Sequence, residues 1–285
     1  MGLSNHIVLG TVQTGIPYGK HKNKPLCSEQ YAYSIFQKGW DLGIRSFDTA
    51  QAYGLSSSRL SGWLKNTGCI SRAHVITKIS PSEIDCPLVL EELIKPFQGA
   101  CTITVLTHGS VQDDIAWNSF VKNSRILGFK YGQSVYTVDE VRNACQLGCE
   151  LIQAPGNVLD DRQIQAANSE SIPFDIRSVF LQGILLDDAS TAEARVAGGG
   201  RLASAVREIA EKLQFEVAKC LIWSAFNLVL PNGRLVLGAD SPDDLENWDW
   251  HSYQPEIGAK FKQDLLDKIG FDMSNKILDP RSWSS

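Results

Sequence analysis

The chain has 285 residues with 27 Lys and Arg against 32 Asp and Glu, and its formal net charge of -5 leaves no basic footprint for nucleic acid. No stretch approaches the roughly 18 consecutive apolar residues of a membrane span, and no basic N-terminal segment leads into an apolar run. Together these features predict a soluble, cytoplasmic protein with no nucleic-acid or membrane partner, long enough to bury a large core as one closed α/β barrel.

The chain alternates short β-rich runs with amphipathic helical runs, without linker or low-complexity segment. His6–Thr11 reads as a first strand, and a polar loop through Gly15-Ile16-Pro17-Tyr18-Gly19 reaches Pro25. Ser28 opens a helix to Leu42 with Tyr31, Ile35, Phe36 and Trp40 at helical spacing. Ile44–Phe47 is a second strand and Ser56–Lys65 a helix stopped before Gly68. His74–Thr77 leads to Lys78, Cys86–Phe97 is helical, and β-branched Thr102–Thr107 leads to His108. A helix carrying Ile115, Trp117 and Phe120 precedes a fifth strand at Arg125–Phe129, which leads to Gly132-Gln133-Ser134.

Val138–Leu147 is helical, Glu150–Ile152 a sixth strand, Arg162–Asn168 a short helix and Phe174–Arg177 a seventh strand. A loop at Ser178–Leu186 and a long polar insert with Gly198-Gly199-Gly200 follow, the triple glycine reading as flexible loop, since no strand precedes it and no Gly-Lys-Ser/Thr element follows. Helices at Leu202–Leu213 and Val217–Ala225, an eighth strand at Arg234–Leu237, a helix at Pro242–Trp248 and an amphipathic run at Ile257–Ile269 complete the pattern. Eight strands each followed by a helix, with no Asn-Gly or Asp-Gly hairpin between successive strands, predict a single-domain (β/α)8 TIM barrel over residues 1–285. A C-terminal tail from about residue 251 would dock back on it through Ile277–Trp283.

In such barrels the chemistry lies at the carboxyl ends of the strands. There the sequence sets Thr11 and Val12, Asp48 with Tyr53, Lys78, His108, Ser134, Gln153, Arg177 and Gly238. An acid, a phenol, an amine and an imidazole are what proton transfer at a carbonyl oxygen needs. A phenol is a poor proton donor at neutral pH unless a cation sits beside it. Lys78 supplies that cation, Asp48 holds it, and His108 orients the carbonyl. A positioned general acid contributes about 10²–10⁴-fold, and a hydride must come from a cofactor. Taken singly, Asp48 would be a loop carboxylate, Tyr53 a half-buried packing residue and His108 a rim histidine; their order along the chain is what argues for catalysis.

These residues carry a resemblance. Leu9-Gly10-Thr11-Val12-Gln13, Gly43–Gly54 with Ser46-Phe47-Asp48-Thr49-Ala50-Gln51-Ala52-Tyr53-Gly54, Lys78 and Leu106-Thr107-His108 resemble the aldo-keto reductase family, including its Asp-Tyr-Lys-His tetrad. The likeness covers residues 6–250. It implies an NAD(P)(H)-dependent oxidoreductase acting on a small carbonyl or alcohol substrate, with NADP(H) as the family's usual cofactor. Ser134, Gln153 and Arg177 would seat the nicotinamide, and Thr11, Val12, Ser178, Gln182, Gly238, Ser241 and Asn247 would hold the remainder. The trimmed loops and Arg177–Gly183 resemble a bacterial branch linked to sugar metabolism.

Three positions depart from the family pattern. The segment after the eighth strand carries Asp240, Asp243, Asp244 and Glu246 and no base follows Arg234 within it, so NAD(H) use is expected, because acids repel a 2′-phosphate and accept from a free 2′-hydroxyl. Val135 stands where an asparagine is expected, and Arg177 where an aromatic would stack on the nicotinamide. These changes leave two alternatives open: a barrel that binds a ligand as a regulatory protein, and a redox-neutral lyase or epimerase using Tyr53 and Lys78.

The remaining candidates read blandly. Seven scattered cysteines without C-x-x-C are free thiols of a reducing compartment; Cys145 and Cys149 lie four apart but no nearby histidine completes a metal site, so no metal is assigned. His6, His21, His74 and His251 read as structural or solvent-facing. Trp40, Trp63, Trp117 and Trp223 read as packing residues, whereas Trp248, Trp250 and Tyr253 are candidates for the site mouth. Val12, Ile16, Tyr18 and Trp117 are expected to line the substrate pocket.

Overall fold

The alternation of apolar strands and amphipathic helices closes on itself in a computed structural model that describes residues 2–18, 25–270 and 275–283. Among these residues eight parallel strands form one closed barrel in sequence order. They are β1 (Ile7–Gly10), β2 (Ser46–Asp48), β3 (His74–Ile79), β4 (Thr102–His108), β5 (Lys130–Ser134), β6 (Leu151–Pro155), β7 (Phe174–Arg177) and β8 (Gly233–Gly238). β1 pairs with both β2 and β8, so no strand edge is left open. His21 and the part of the first polar loop around it lie outside the described residues.

Alternation along each strand sorts the side chains into an inner and an outer set. The middle of the barrel is a small apolar layer of Val8, Ile76, Leu106 and Leu151 with Val236 packed against it. Toward the amino ends of their strands lie Ser46, His74, Thr104, Asp175 and Arg234, and two or more residues further along them, toward the carboxyl ends, lie Asp48, Lys78, His108 and Arg177, with Ser134 and Gln153 on β5 and β6. The outer set packs on the helices. Phe47 of β2 meets Phe36 and Trp40 of α1 (Glu29–Asp41) and Trp63 of α2 (Ser56–Asn66), with ring centroids 5.8–6.5 Å apart. Each such aromatic contact adds about 0.5–1.5 kcal/mol beyond its buried area.

The helices start where the sequence places caps. Ser28 accepts from Tyr31 N to begin α1, and Asp113 accepts from Ile115 N and Ala116 N to begin α4 (Asp114–Leu127). α3 (Pro87–Ile94) starts on a proline, α5 (Val138–Gln146) on a Thr137/Glu140 capping box, and α6 is Arg162–Ser169.

Two expectations are corrected. Arg125–Phe129 is not the fifth strand. Arg125, Ile126 and Leu127 are the last turn of α4, and Gly128 at φ +76° closes it in the left-handed conformation that only glycine adopts freely. The real β5 follows at Lys130–Ser134, where polar and small residues hid the strand signal. Ile115 of that helix is 83% exposed.

The polar insert is not a flexible loop either. It holds α7 (Ala189–Arg195), and Gly199 and Gly200 are the first buried turn of α8 (Gly199–Leu213). A side chain at Gly199 would stand 2.4 Å from Ala192 O, so the glycines are there to let the two helices touch. α8, α9 (Val217–Val229) and α11 (Pro255–Ile269) share a second apolar cluster with Leu181, Ile184 and Leu185 of the loop after β7. α10 (Pro242–Asn247) follows β8, and α12 (Asn275–Leu278) begins the terminal segment, whose Ile277 is buried in that same cluster.

Candidate active site

β2 and β3 are neighbours in parallel register, which sets Asp48 beside Ile76 and brings Lys78, two residues on, above it. Lys78 Nζ donates to both carboxylate oxygens of Asp48 at 2.6 Å and to Thr49 O at 3.3 Å. Lys78 is 1% exposed and Asp48 4%. Burial works against the charge on Lys78, but the carboxylate outweighs it and holds the ammonium's pKa above its ordinary value. The pair is therefore a fixed ion pair that does not release its proton near neutrality.

Asp48 is held from three sides. Gln153 Nε2 on β6 donates to its Oδ2 at 2.8 Å, and Ser134 Oγ on β5 donates to Gln153 Oε1 at 3.2 Å. Thr11, at the end of β1, takes the Asp48 carbonyl through both its N–H (2.9 Å) and its hydroxyl (2.8 Å). Thr11 Oγ1 also meets Ser56 Oγ at 2.5 Å, and Ser56 meets Thr49 Oγ1 at 2.9 Å, joining the strand ends to the start of α2.

Tyr53 stands in the loop between β2 and α2, with Lys78 Nζ 5.1 Å from its ring centroid. That loop is pinned to the one after β1: Leu55 N donates to Gly15 O at 3.2 Å, and a Cβ on Gly15 would lie 1.9 Å from Tyr53 O. Glycine at position 15 is what permits this approach. His108, at the end of β4, meets the Tyr53 ring edge-on with centroids 6.2 Å apart. Burial, then Lys78 and Arg177, lower the His108 pKa, so its ring is neutral at pH 7 and carries one N–H donor.

These groups border a cavity of about 390 Å³ at the carboxyl ends of the strands. Asp48, Tyr53, His108, Thr11, Val12, Arg177, Ser178, Gln182 and Gly238 line it. Lys78, Ser134 and Gln153 do not; they are buried beneath its floor, with their polar atoms engaged around Asp48. Ser241 and Asn247 are off the wall as well. Ser241 caps α10, accepting from Asp244 N, while Asp244 Oδ2 accepts from Ser241 N, and Asn247 is exposed at the far end of that helix.

The wall also contains residues that the sequence left without a role. Gln13 covers Gly238, and its Oε1 is buried with no hydrogen-bond partner among the described residues. Tyr136, Phe180, Leu186, Asp240, Asp244 and Trp248 line it too. Gln13 had a usable signal, lying three residues past β1 in the motif itself; Tyr136 had none beyond following Ser134-Val135. Of the mouth candidates, Trp248 packs against Phe180 at 5.3 Å, whereas Trp250 is buried away from the cavity and Tyr253 donates to Asn227.

The expected apolar substrate wall is corrected in part. Val12 and Tyr18 line the cavity, and Ile16 lies in an adjoining cleft with Tyr18. Trp117 is on the outer side of the barrel, tilted against Phe120 and edge-on to Tyr131, and donates to Leu147 O at 3.1 Å. The loop after β7 is strained where it borders the cavity: Ser178, Leu181 and Gln182 all have φ between +49° and +63°. Left-handed conformation at non-glycine residues costs about 1–2 kcal/mol each, and such cost is commonly found at functional sites.

Among the described residues no group of three His, Cys, Asp or Glu side chains could hold a metal, and no helix is long and apolar enough to cross a membrane. No family profile and no curated protein matches the sequence. Solved structures match the fold. A glycerol dehydrogenase from Gluconobacter oxydans aligns with TM-score 0.68 and 16% identity over 94% of each chain. An aldo/keto reductase from Klebsiella pneumoniae, solved with NADP and acetate, gives 0.66 and 15% over 90% of each chain. An aldo/keto reductase from Brucella melitensis gives 0.65 and 17% over 91% of this chain and 93% of its own. The chain therefore has the fold of the aldo-keto reductases.

Proposed function

We propose that the protein is an NAD(P)(H)-dependent oxidoreductase of the aldo-keto reductase type, interconverting a carbonyl and an alcohol. The observation that carries this reading is the buried Lys78–Asp48 pair set beneath Tyr53, with His108 beside the phenol at a cavity. A reduced nicotinamide bound there would supply the hydride for the carbonyl carbon. The Tyr53 hydroxyl gives its proton to the carbonyl oxygen, and the Lys78 ammonium stabilises the phenolate that remains. Neutral His108 donates its N–H to the same oxygen and fixes its direction. Asp48 keeps Lys78 in position and charged. In the reverse direction Tyr53 takes the proton back from the alcohol.

The residues present fit such a cofactor. Gln13 Oε1 is a buried acceptor on the cavity wall awaiting a donor, as a ribose hydroxyl or a carboxamide would provide. Thr11, Val12, Arg177, Ser178, Gln182 and Gly238 would hold it, on the support that all six border the cavity. Ser134 and Gln153 serve first to fix Asp48, and Ser241 and Asn247 are left out of the set. Asp240 and Asp244 border the cavity as well, so we propose that NADH is accepted at least as well as NADPH. Direct titration with each cofactor decides it: NADPH binding about tenfold tighter, or about 1.4 kcal/mol, overturns that preference.

Seven free thiols support a reducing, cytoplasmic setting, and the described chain supports one barrel domain with the terminal segment packed on it. Tyr53→Phe tests the whole reading. Turnover should fall by at least about 10²-fold while nicotinamide binding, followed by fluorescence, persists. Unchanged turnover removes Tyr53 from the mechanism, and silence with both cofactors favours a ligand-binding barrel without redox chemistry. A screen of aldehydes, ketones and aldoses tests the expected sugar substrate.

A further inference from the structure

We propose that Arg195 is a positioning residue for the cofactor: it holds the loop after β7 in the strained shape that walls the cavity, and so sets how long a nicotinamide cofactor stays bound. The inference rests on the proposed oxidoreductase reading and adds to it the device that retains the cofactor.

The loop meets the cavity through Ser178, Val179, Phe180, Gln182, Gly183 and Leu186. Its backbone is unfavourable where it does so. Ser178, Leu181 and Gln182 have φ of +63°, +49° and +51°, a region in which a β-carbon is crowded, and Gly183 continues the turn at +94°. Strain of this kind persists only where the surroundings over-determine it. Apolar burial does part of the holding, since Leu181, Ile184 and Leu185 belong to the second apolar cluster. Gln182 and Gly183 border the cavity instead and need another restraint.

Arg195, the last residue of α7, supplies it. Its Nη2 donates to Gln182 O at 2.8 Å and its Nη1 to Asp187 Oδ2 at 2.6 Å, and the two side chains are only 19% and 7% exposed. One guanidinium fork therefore ties a left-handed residue to the end of the same loop. Arg207 of α8 adds bonds to Leu186 O at 2.7 Å and Asp187 O at 3.2 Å. Trp283 of the terminal segment lies against Arg195, with Cζ 5.5 Å from its ring centroid. The charge of Arg195 also reaches the cavity: burial and then Tyr53 raise the pKa of Tyr18 on the wall, and Arg177 and Arg195 pull against them. A neutral residue at 195 removes the donors of Gln182 O and of the Asp187 carboxylate together, and the loop relaxes away from its left-handed turn. A cofactor that needs the loop in this shape binds in proportion to the fraction of molecules that hold it.

Arg195→Met keeps the reach of the side chain and removes both donors. Displacement of bound NADH, followed by stopped-flow fluorescence, should be about 10- to 100-fold faster than from the native protein, the range for a lost charge-assisted hydrogen bond. Without cofactor, the backbone amides of 178–186 should exchange hydrogen faster in the same variant. Arg195→Lys keeps the charge but not the fork, so it should fall between the two, and it carries the test if the methionine variant does not fold. Lys268→Met, which removes an exposed pair with Glu208 of α8, should change neither reading. Unchanged exchange at 178–186 in the Arg195 variants overturns the inference, as does faster exchange with NADH release unchanged. If the native protein binds neither NADH nor NADPH, the oxidoreductase reading fails, while faster exchange in Arg195→Met still assigns the shape of the loop to Arg195.

Discussion

Replacing Lys78 with methionine leaves the shape of the side chain nearly intact and deletes only its charge and donors. The ammonium makes two 2.6 Å bonds to Asp48, and both residues are almost wholly buried. Without it, Asp48 becomes a buried carboxylate with one remaining side-chain donor, Gln153. Breaking a buried pair on one side costs about 3–5 kcal/mol, whereas replacing both members with apolar residues is often close to neutral. For a chain of this size each kcal/mol moves the melting temperature by about 2–4 °C, so Lys78→Met should melt about 6–20 °C lower. The double variant Asp48→Leu/Lys78→Met should recover at least about 2 kcal/mol of that loss, even though Gln153 then loses its acceptor. Urea unfolding followed by two probes measures both, with coincident transitions as the check on two-state behaviour. A loss below about 1 kcal/mol in the single variant, or a double variant weaker than the single, would refute the claim that this charge pair is sealed from water.

Two further outcomes follow from features at either end of the barrel. His74 is held neutral among Arg234, Ser46 and Thr104; burial first, then Arg234 and Lys130, lower its pKa from 6.5 to about 3. Between those values only the unfolded chain binds the proton, so stability falls as pH falls from 6.5 toward 3, by up to about 1.4 kcal/mol per pH unit. The neighbouring Asp175, raised by burial against the pull of Arg234, acts in the opposite sense, and the difference between native protein and His74→Gln in melting temperature against pH isolates the histidine. A difference that does not change between pH 7 and pH 4 contradicts the assignment. Gly15→Ala forces the Tyr53 loop away, since its Cβ would stand 1.9 Å from Tyr53 O. Turnover should fall by about 10²-fold with the barrel still folded by circular dichroism, as displacement of a reacting group by about 1 Å does elsewhere; retained turnover would mean the loop has room to give.

Much of this is legible in the sequence. Strands that end on Asp48, Lys78, His108 and Arg177 are short apolar or β-branched runs, and their terminal polar residues stood out against them. The fifth strand did not, because Lys130-Tyr131-Gly132-Gln133-Ser134 has neither alternation nor branching, while the exposed Ile126 and the half-buried Leu127 before it mimicked a strand. The glycines at 199 and 200 misled for a related reason: their role is a contact between two helices, and contact partners distant in sequence leave no local trace. The same limit applied at the site. Ser134 and Gln153 could be placed at strand ends from sequence, but that they are turned to Asp48, beneath the cavity and not on its wall, depends on β2, β5 and β6 curving into one ring.

In that ring β2 and β6 are four strands apart in either direction, which makes them diametrically opposite. The bond from Gln153 to Asp48 is therefore a strut across the bore. It joins the half of the barrel formed by the first four strands to the half formed by the last four. Neither half can satisfy the carboxylate alone: one carries the acid and its lysine, the other the amide that completes its shell. Closure of the barrel and completion of the Asp48 shell are thus the same event, and any sequence change that ovalises the barrel along that diameter would be felt first at the Gln153–Asp48 bond.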